Sequence, residues 1–278
     1  MGTVTCPMLP TRINDRWTLM LPEHRHGRLE WPVWEKERLA AMHDVITAPV
    51  RVHGPNRPLV DVLAPHLVFD IGTEEGDFPA LWASWGADVV LVEPNPKVWP
   101  NIRAIFQAND FEAHVLGAFV GFAGTEPRQG SWGHEAVQPG QAFSTADVKP
   151  DVREADGWPH CAHGEIIGDH GFLALPERPD VPVTTVDLLA EQCGDPTVIT
   201  IDVEGAELVV LRGAERVLTE AKPAVFLSVH LDEFWVEWHY EGDTPETIQT
   251  FMKSYGYEGR WLATDHEEHW EWRHPEGR

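Results

Sequence analysis

Short apolar runs that end in acidic or glycine residues, and that alternate with segments of helical spacing, constrain this chain more than any other feature. Leu67–Gly72 (LVFDIG) reads as a buried strand, Phe78–Trp85 has helical spacing, and Asp88–Glu93 (DVVLVE) is a second apolar run. Pro96–Asn109 supports another helix and His114–Gly121 a third strand. After a break the rhythm resumes at Val183–Leu189, with a strand at Thr197–Ile201, a helix at Ala206–Glu220 and a fifth strand at Ala224–Val229. A strand followed each time by a helix predicts a doubly wound, Rossmann-like α/β fold, because parallel neighbours need crossover helices.

The chain of 278 residues accommodates one large domain of this kind. Residues 1–60, with a helical stretch near Glu35–Val45, are expected to form an N-terminal extension that caps a main domain over 61–278. Gly124–Pro182 is rich in Gly, Pro, His and Asp and breaks the rhythm. A structureless loop of that length is improbable in a compact domain. This 124–182 insertion is therefore expected to hold short strands or hairpins and to shape the substrate pocket. A helix at Pro245–Tyr255 precedes a tail rich in Trp and His, expected to dock on the domain through its aromatic residues.

Charge narrows the function. With 45 acidic against 21 basic residues the net charge is −24, which repels phosphate backbones and anionic lipids. Nucleic acid and membrane are therefore poor partners. No apolar run approaches the roughly 20 residues that span a bilayer, and the first residues lack a signal-peptide pattern. The three cysteines, Cys6, Cys161 and Cys193, form neither a disulfide framework nor a CxxC metal site. A cytoplasmic protein is expected.

Four constellations carry chemistry. The first is Asp70-Ile-Gly72-Thr73-Glu74-Glu75-Gly76 at a strand–helix junction, where glycines let the backbone turn tightly and approach a ligand. Asp70, Glu74, Glu75 and Asp77 crowd it with carboxylates, whereas a diphosphate loop presents amides and positive charge. That sign disfavours NAD or ATP and suits a ligand carrying an ammonium and a sulfonium, such as S-adenosylmethionine. The second is Glu93, at the spacing of about 20 residues where an acid hydrogen-bonds ribose hydroxyls.

The third constellation is Asp202-Val-Glu204-Gly205 with Glu207, just past a strand end, where open α/β sheets bind ligands. Asp202 is the preferred functional residue; Glu204 and Glu207 equally suit a helix start. The fourth is His230, with Asp232 and Glu233, also past a strand end. His230 is a candidate general base, and Asp202, His230 and Asp232 together a candidate Mg²⁺ set. Two other groups, His160-Cys161-Ala-His163 and the histidines His266, His269 and His274, are read as structural. Trp235 and Trp238 offer indole faces on which sugars stack.

In order and spacing these elements resemble the FkbM family of S-adenosylmethionine-dependent methyltransferases. VFDIGTEEGDF is similar to its glycine loop, LVEPNP (Leu91–Pro96) to its ribose-binding strand end, and VTTVDLL, ITIDVEGAELVVLRGAERVL and KPAVFLSVH to its C-terminal half. The resemblance runs from about Leu67 to His230. It implies a seven-stranded sheet with a reversed final strand, and methylation of a small-molecule hydroxyl, often on a sugar or polyketide. It also implies cofactor contacts from the turn that holds Asp70, Gly72, Thr73 and Gly76, and from Glu93. The chain departs from the pattern at Thr73-Glu74, where Ala-Asn is common, at Thr200 (usually Lys), at Ser228 (usually Glu) and at Phe122 (often acidic). The departures at Thr200, Ser228 and Phe122 leave open a second expectation, a non-catalytic domain that binds the cofactor or a glycan within a larger assembly.

Overall fold

The structure, a computed structural model, describes residues 7–23, 25–26, 35–52, 60–93, 99–116, 119–120, 166–167, 172–173, 183–203, 205–230, 244–265 and 267–277. The expected insertion over 124–182 lies almost wholly outside the described residues, as do Glu204, Asp232, Glu233, Trp235 and Trp238.

The chain opens with a hairpin, β1 (Met8–Ile13) and β2 (Trp17–Pro22), then helix α1 (Lys36–Ile46) and a short antiparallel pair, β3 (Val50–Val52) and β4 (Val60–Val62). Alternation begins with β5 (Leu67–Ile71), α2 (Asp77–Ser84), β6 (Asp88–Val92), α3 (Trp99–Ala108) and β7 (His114–Leu116). Four two-residue strands follow: β8 (Phe119–Val120), β9 (Ile166–Ile167), β10 (Phe172–Leu173) and β11 (Val183–Thr184). Helix α4 (Val186–Cys193), β12 (Val198–Ile201), α5 (Glu207–Arg212) and β13 (Ala224–His230) continue the alternation. Helix α6 (Pro245–Ser254) leads into β14 (Glu258–Thr264) and β15 (Glu267–Arg273).

Among the described residues one seven-stranded sheet organises these elements, in the order β14-β15-β13-β12-β5-β6-β7. The five strands from β13 to β7 run parallel to one another, and β15 is antiparallel to both of its neighbours. The reversed strand is thus the last in sequence but lies inside the sheet. Strands β5, β6, β12 and β13 are buried on both faces, which is why they read as continuous apolar runs. Alternate residues feed two cores. Phe69, Ile71, Ile199, Ile201, Val225 and Leu227 pack under α4, α5 and α6. Val68, Val89, Leu91, Val198 and Phe226 pack with Leu39, Met42, Ile46, Leu19 and Trp82 on the opposite face.

The N-terminal segment therefore shares a hydrophobic core with the sheet, and α1 supplies fully buried Leu39 and Met42 to it. The β3–β4 pair joins residues on both sides of position 60.

Two elements differ from the sequence expectation. The single helix expected over Ala206–Glu220 is interrupted after Arg212 and ends in a π-type turn at Val217–Ala221. Asp187, in the first turn of α4, accepts the backbone N–H groups of Arg216 and Val217 at 3.0 and 2.9 Å, and its own N–H donates to Gly213 O. Tertiary capping here outweighs the uninterrupted helical spacing. The tail is not a docked appendage either: it is the β14–β15 hairpin, and Trp272 is its main core residue.

Candidate active site

The carboxyl ends of β5, β6, β12 and β13 converge on one edge of the sheet. At the end of β5 the chain turns at Gly72, whose φ of +86° is in the left-handed region. A Cβ there would stand 1.7 Å from the carbonyl oxygen of Asp202, so only glycine lets this turn lie against the end of β12. The N–H groups of Gly72 and Thr73 both donate to Val92 O, tying the turn to β6. Thr73 is buried and its hydroxyl donates to Asp70 O at 3.0 Å. Gly76, at φ +90°, starts α2 against Ile102 of α3.

Asp70 is buried on the α1 side of the sheet and accepts a hydrogen bond from Trp82 Nε1 at 3.2 Å. Burial, only partly offset by the Trp82 and Thr73 hydrogen bonds and by Arg38, pushes its carboxyl up to about 6. Glu93 follows β6 and is also buried; its Oε2 accepts the N–H of Glu74 at 3.0 Å, and Glu74 itself has φ +52°.

The crowded carboxylates do not act as the sequence reading expected. Arg25, buried in the N-terminal segment, forks onto Glu74 at 3.1 and 3.2 Å, donates to Asp77 Oδ2 at 2.7 Å through Nε, and approaches Glu75 at 4.0 Å. Burial opposes its charge, but Asp77, Glu74 and Glu75 outweigh that and hold the guanidinium well above its ordinary range. Glu75 also accepts from Asn101. Three of the four acids thus have a protein cation. Their sign is an internal matter of the fold and is no argument for a cationic ligand.

A second polar group lies at the ends of β12 and β13. His230, 1% exposed, has Nδ1 3.0 Å from Glu207 Oε1, and Glu207 also accepts the N–H of Gly205 at 3.1 Å. His230 Nε2 lies 3.2 Å from Glu267 Oε2 and 4.0 Å from Asp202 Oδ1. The side chain of Asp202 is 28% exposed, and its other oxygen faces Arg38 of α1 at 3.7 Å. Arg38 also reaches Glu35 at 2.9 Å and Thr200 Oγ1 at 3.3 Å, and its guanidinium lies 5.4 Å from the centre of the Phe78 ring. Burial opposes its charge, while Glu35, Asp202 and Glu267 hold it above its ordinary range. Glu267 is pushed well up from the usual carboxylate range, by burial first and then by Asp202.

Asp202 and His230, expected together, are therefore adjacent, and Asp202 backs directly onto the Gly72 turn. Their expected third partner, Asp232, lies outside the described residues. Glu267 stands beside the pair instead: one ligand atom each from Asp202, His230 and Glu267 lie within 4.8 Å of one another. Sequence reasoning missed Arg25, Arg38, Glu207 as the partner of His230, and Glu267. One signal was available: Thr200 and Ser228 stand where the family pattern carries a Lys and a Glu. The side chains that reach them are Arg38, and His269 at 3.3 Å.

A sequence model of the FkbM methyltransferase domain matches residues 70–258, about two thirds of the chain. No curated protein is similar enough to match. Among solved structures the chain is similar to the methyltransferase FkbM from Methylobacillus flagellatus KT, at 16% identity and a TM-score of 0.44, over 75% of this chain and 43% of that one. It is similar to precorrin-6y C5,15-methyltransferase from Geobacter metallireducens GS-15, at 11% identity and a TM-score of 0.41, over 86% and 89% of the two chains. Magnesium protoporphyrin IX methyltransferase from Synechocystis PCC 6803, with bound SAM, follows at 12% identity and a TM-score of 0.37, over 75% and 70%. The chain spans less than half the length of the Methylobacillus protein.

Proposed function

The chain belongs to the FkbM methyltransferase family, and from that premise we propose that it transfers a methyl group from S-adenosylmethionine to a hydroxyl of a small molecule, a sugar or glycan being the acceptor class. The observation that carries the reading is the junction of two groups: Asp202, part of the His230 cluster, has its carbonyl packed against Gly72 of the turn that ends β5.

The residues present suit the cofactor. Glu93 is a carboxylate at a strand end, a bidentate acceptor for a ribose diol, and the N–H of Glu74 already orients it. Asp70, Gly72, Thr73 and Gly76 shape the turn beside it, and the absence of a side chain at 72 lets that turn close against the carbonyl of Asp202 at the strand ends. Bound S-adenosylmethionine supplies an electrophilic methyl group. The protein's own contribution is then to orient the acceptor and take its proton.

Asp202, the least buried member of the cluster, accepts the hydrogen bond of the acceptor hydroxyl. Asp202 takes that proton as the oxygen gains the methyl group and relays it to His230 Nε2, 4.0 Å from its Oδ1, while Glu207 on Nδ1 fixes the ring. Arg38 already supplies positive charge to Asp202. We therefore assign Asp202 and His230 to proton handling rather than to a Mg²⁺ site.

A titration of the purified protein with S-adenosylmethionine and, separately, NAD tests the cofactor, followed by methyl transfer to a panel of sugars. Binding of the methyl donor alone is expected. Replacing His230 by Ala should lower turnover at least 100-fold, the usual scale of general-base loss, while the donor affinity stays within about threefold. Equal turnover in the variant would remove His230 from the mechanism. The burial of His230, with both ring nitrogens next to carboxylates, favours a second reading: a domain that binds the cofactor without turnover. Tight donor binding with no transfer to any acceptor would select it.

A further inference from the structure

The β14–β15 hairpin lies beyond the matched domain apart from its first residue, and it carries a pattern that the reaction does not use: Asp265-x-Glu267-x-His269. A strand turns alternate residues to the same face, so Glu267 and His269 share a side of β15 and Asp265 stands just ahead of them. Glu267 and His269 point to the face that also bears His230 and Ser228, their register partners on β13.

We propose that Asp265, Glu267 and His269 form a binding site for a divalent transition-metal ion, distinct from the Asp202–His230 pair. One ligand atom from each of the three lies within 4.8 Å of the others. His269 Nε2 is 3.5 Å from Asp265 Oδ2 and 3.7 Å from Glu267 Oε1. Ligand bonds of about 2.1 Å put neighbouring donors roughly 3 to 3.5 Å apart, so small rotations of these side chains close the set.

The second observation is the imidazole itself. His269 is 1% exposed, and its Nε2 is buried without a hydrogen bond. A buried ring nitrogen is costly when left so, and this one is aimed between two carboxylates. Its other nitrogen, Nδ1, is 3.3 Å from the hydroxyl of Ser228, the outer contact that fixes the ring of a metal-bound histidine. Asp265 is oriented in the same sense: its Oδ1 accepts the N–H of Glu267 at 3.1 Å, and its Oδ2 faces His269. Its side chain is 44% exposed and opens the site to solution. One imidazole and two carboxylates suit Zn²⁺, Mn²⁺ or Co²⁺ better than Mg²⁺. Glu267 extends from this set to His230 through its second oxygen, so the ion would share a carboxylate with the candidate proton-handling group.

Titration of the chelator-treated full chain with Co²⁺, read by visible absorption and calorimetry, tests the site. One ion per chain is expected. Asp265→Asn, at an exposed position that folding tolerates, and His269→Gln should each weaken binding at least tenfold, while Asp202→Asn should leave it unchanged. The proposal is overturned if the chain binds no Co²⁺ saturably. It is equally overturned if Asp202→Asn abolishes binding and Asp265→Asn does not, which would move the ion to the Asp202–His230–Glu267 group. Binding indifferent to all three variants would place the ion on other histidines and overturn it as well.

Discussion

At the scale of single residues, burial decides more here than identity. Asp70 is a carboxyl held on the core side of a central strand, and its rise to about 6 comes first from lost hydration. The sign follows from that direction. A carboxyl raised in the folded state binds its proton more tightly there than in the unfolded chain. Its contribution favours folding below the unfolded value near 4 and is lost as pH rises toward 6. A difference of about two pH units corresponds to roughly 3 kcal/mol. Asp70→Asn keeps an oxygen for Trp82 Nε1 and has no charge to bury. In urea unfolding the variant should exceed the native chain by up to about 3 kcal/mol at pH 8, with a smaller excess at pH 5.5. The same excess at both values would show that burial of the charge is not the cause. Gly72 and Arg25 make the complementary point, since one acts through the absence of a Cβ and the other through three carboxylates that its own neighbours in sequence do not include.

At the scale of elements, the hairpin β14–β15 turns a tail into two strands at one edge of the sheet. Its seam depends on one pairing. Gly259 lies opposite Trp272, and a Cβ at 259 would meet the indole ring at 2.6 Å. Trp272 is almost fully buried and belongs to the core under α6, so the ring has little room to retreat. Gly259→Ala should therefore cost about 1 to 3 kcal/mol, the range for an overpacked contact. Chemical denaturation reads this directly, and an unchanged midpoint would mean that the strand shifts freely past the ring. Helix α1 has a related role. Its apolar face, Leu39, Met42 and Ile46, fills one core, and Arg38 on the same helix delivers a guanidinium to the strand ends. The helix was legible from its spacing. Its charge delivery was not, because Arg38 and Asp202 meet only across the folded sheet.

At the scale of the whole molecule, a net charge of −24 sets a repulsive background against which the buried ion pairs of Arg25 and Arg38 are local exceptions. Screening acts on exposed charges beyond about 10 Å at 0.1 M salt and hardly reaches buried pairs. The melting temperature should therefore rise between about 20 and 300 mM NaCl at pH 8, as followed by calorimetry. A fall would show that surface ion pairs outweigh the general repulsion.

What the sequence determined by itself is what local period and spacing encode. Apolar runs buried on both faces, helices between them, the glycine turn after β5 and an acid about 20 residues later all follow from the covalent order of residues. The family pattern over residues 70–258 is of the same kind. Tertiary structure alone decided which charges meet. It brought Arg25 to the turn's acids, Arg38 to Asp202, and Glu267 and His269 from a tail read as an appendage to the flank of His230 and Ser228. The physical reason is range. Hydrogen-bonded periodicity acts over a few residues of chain, whereas a buried charge is stabilised by whatever folding places within a few ångströms, however far away it lies in sequence.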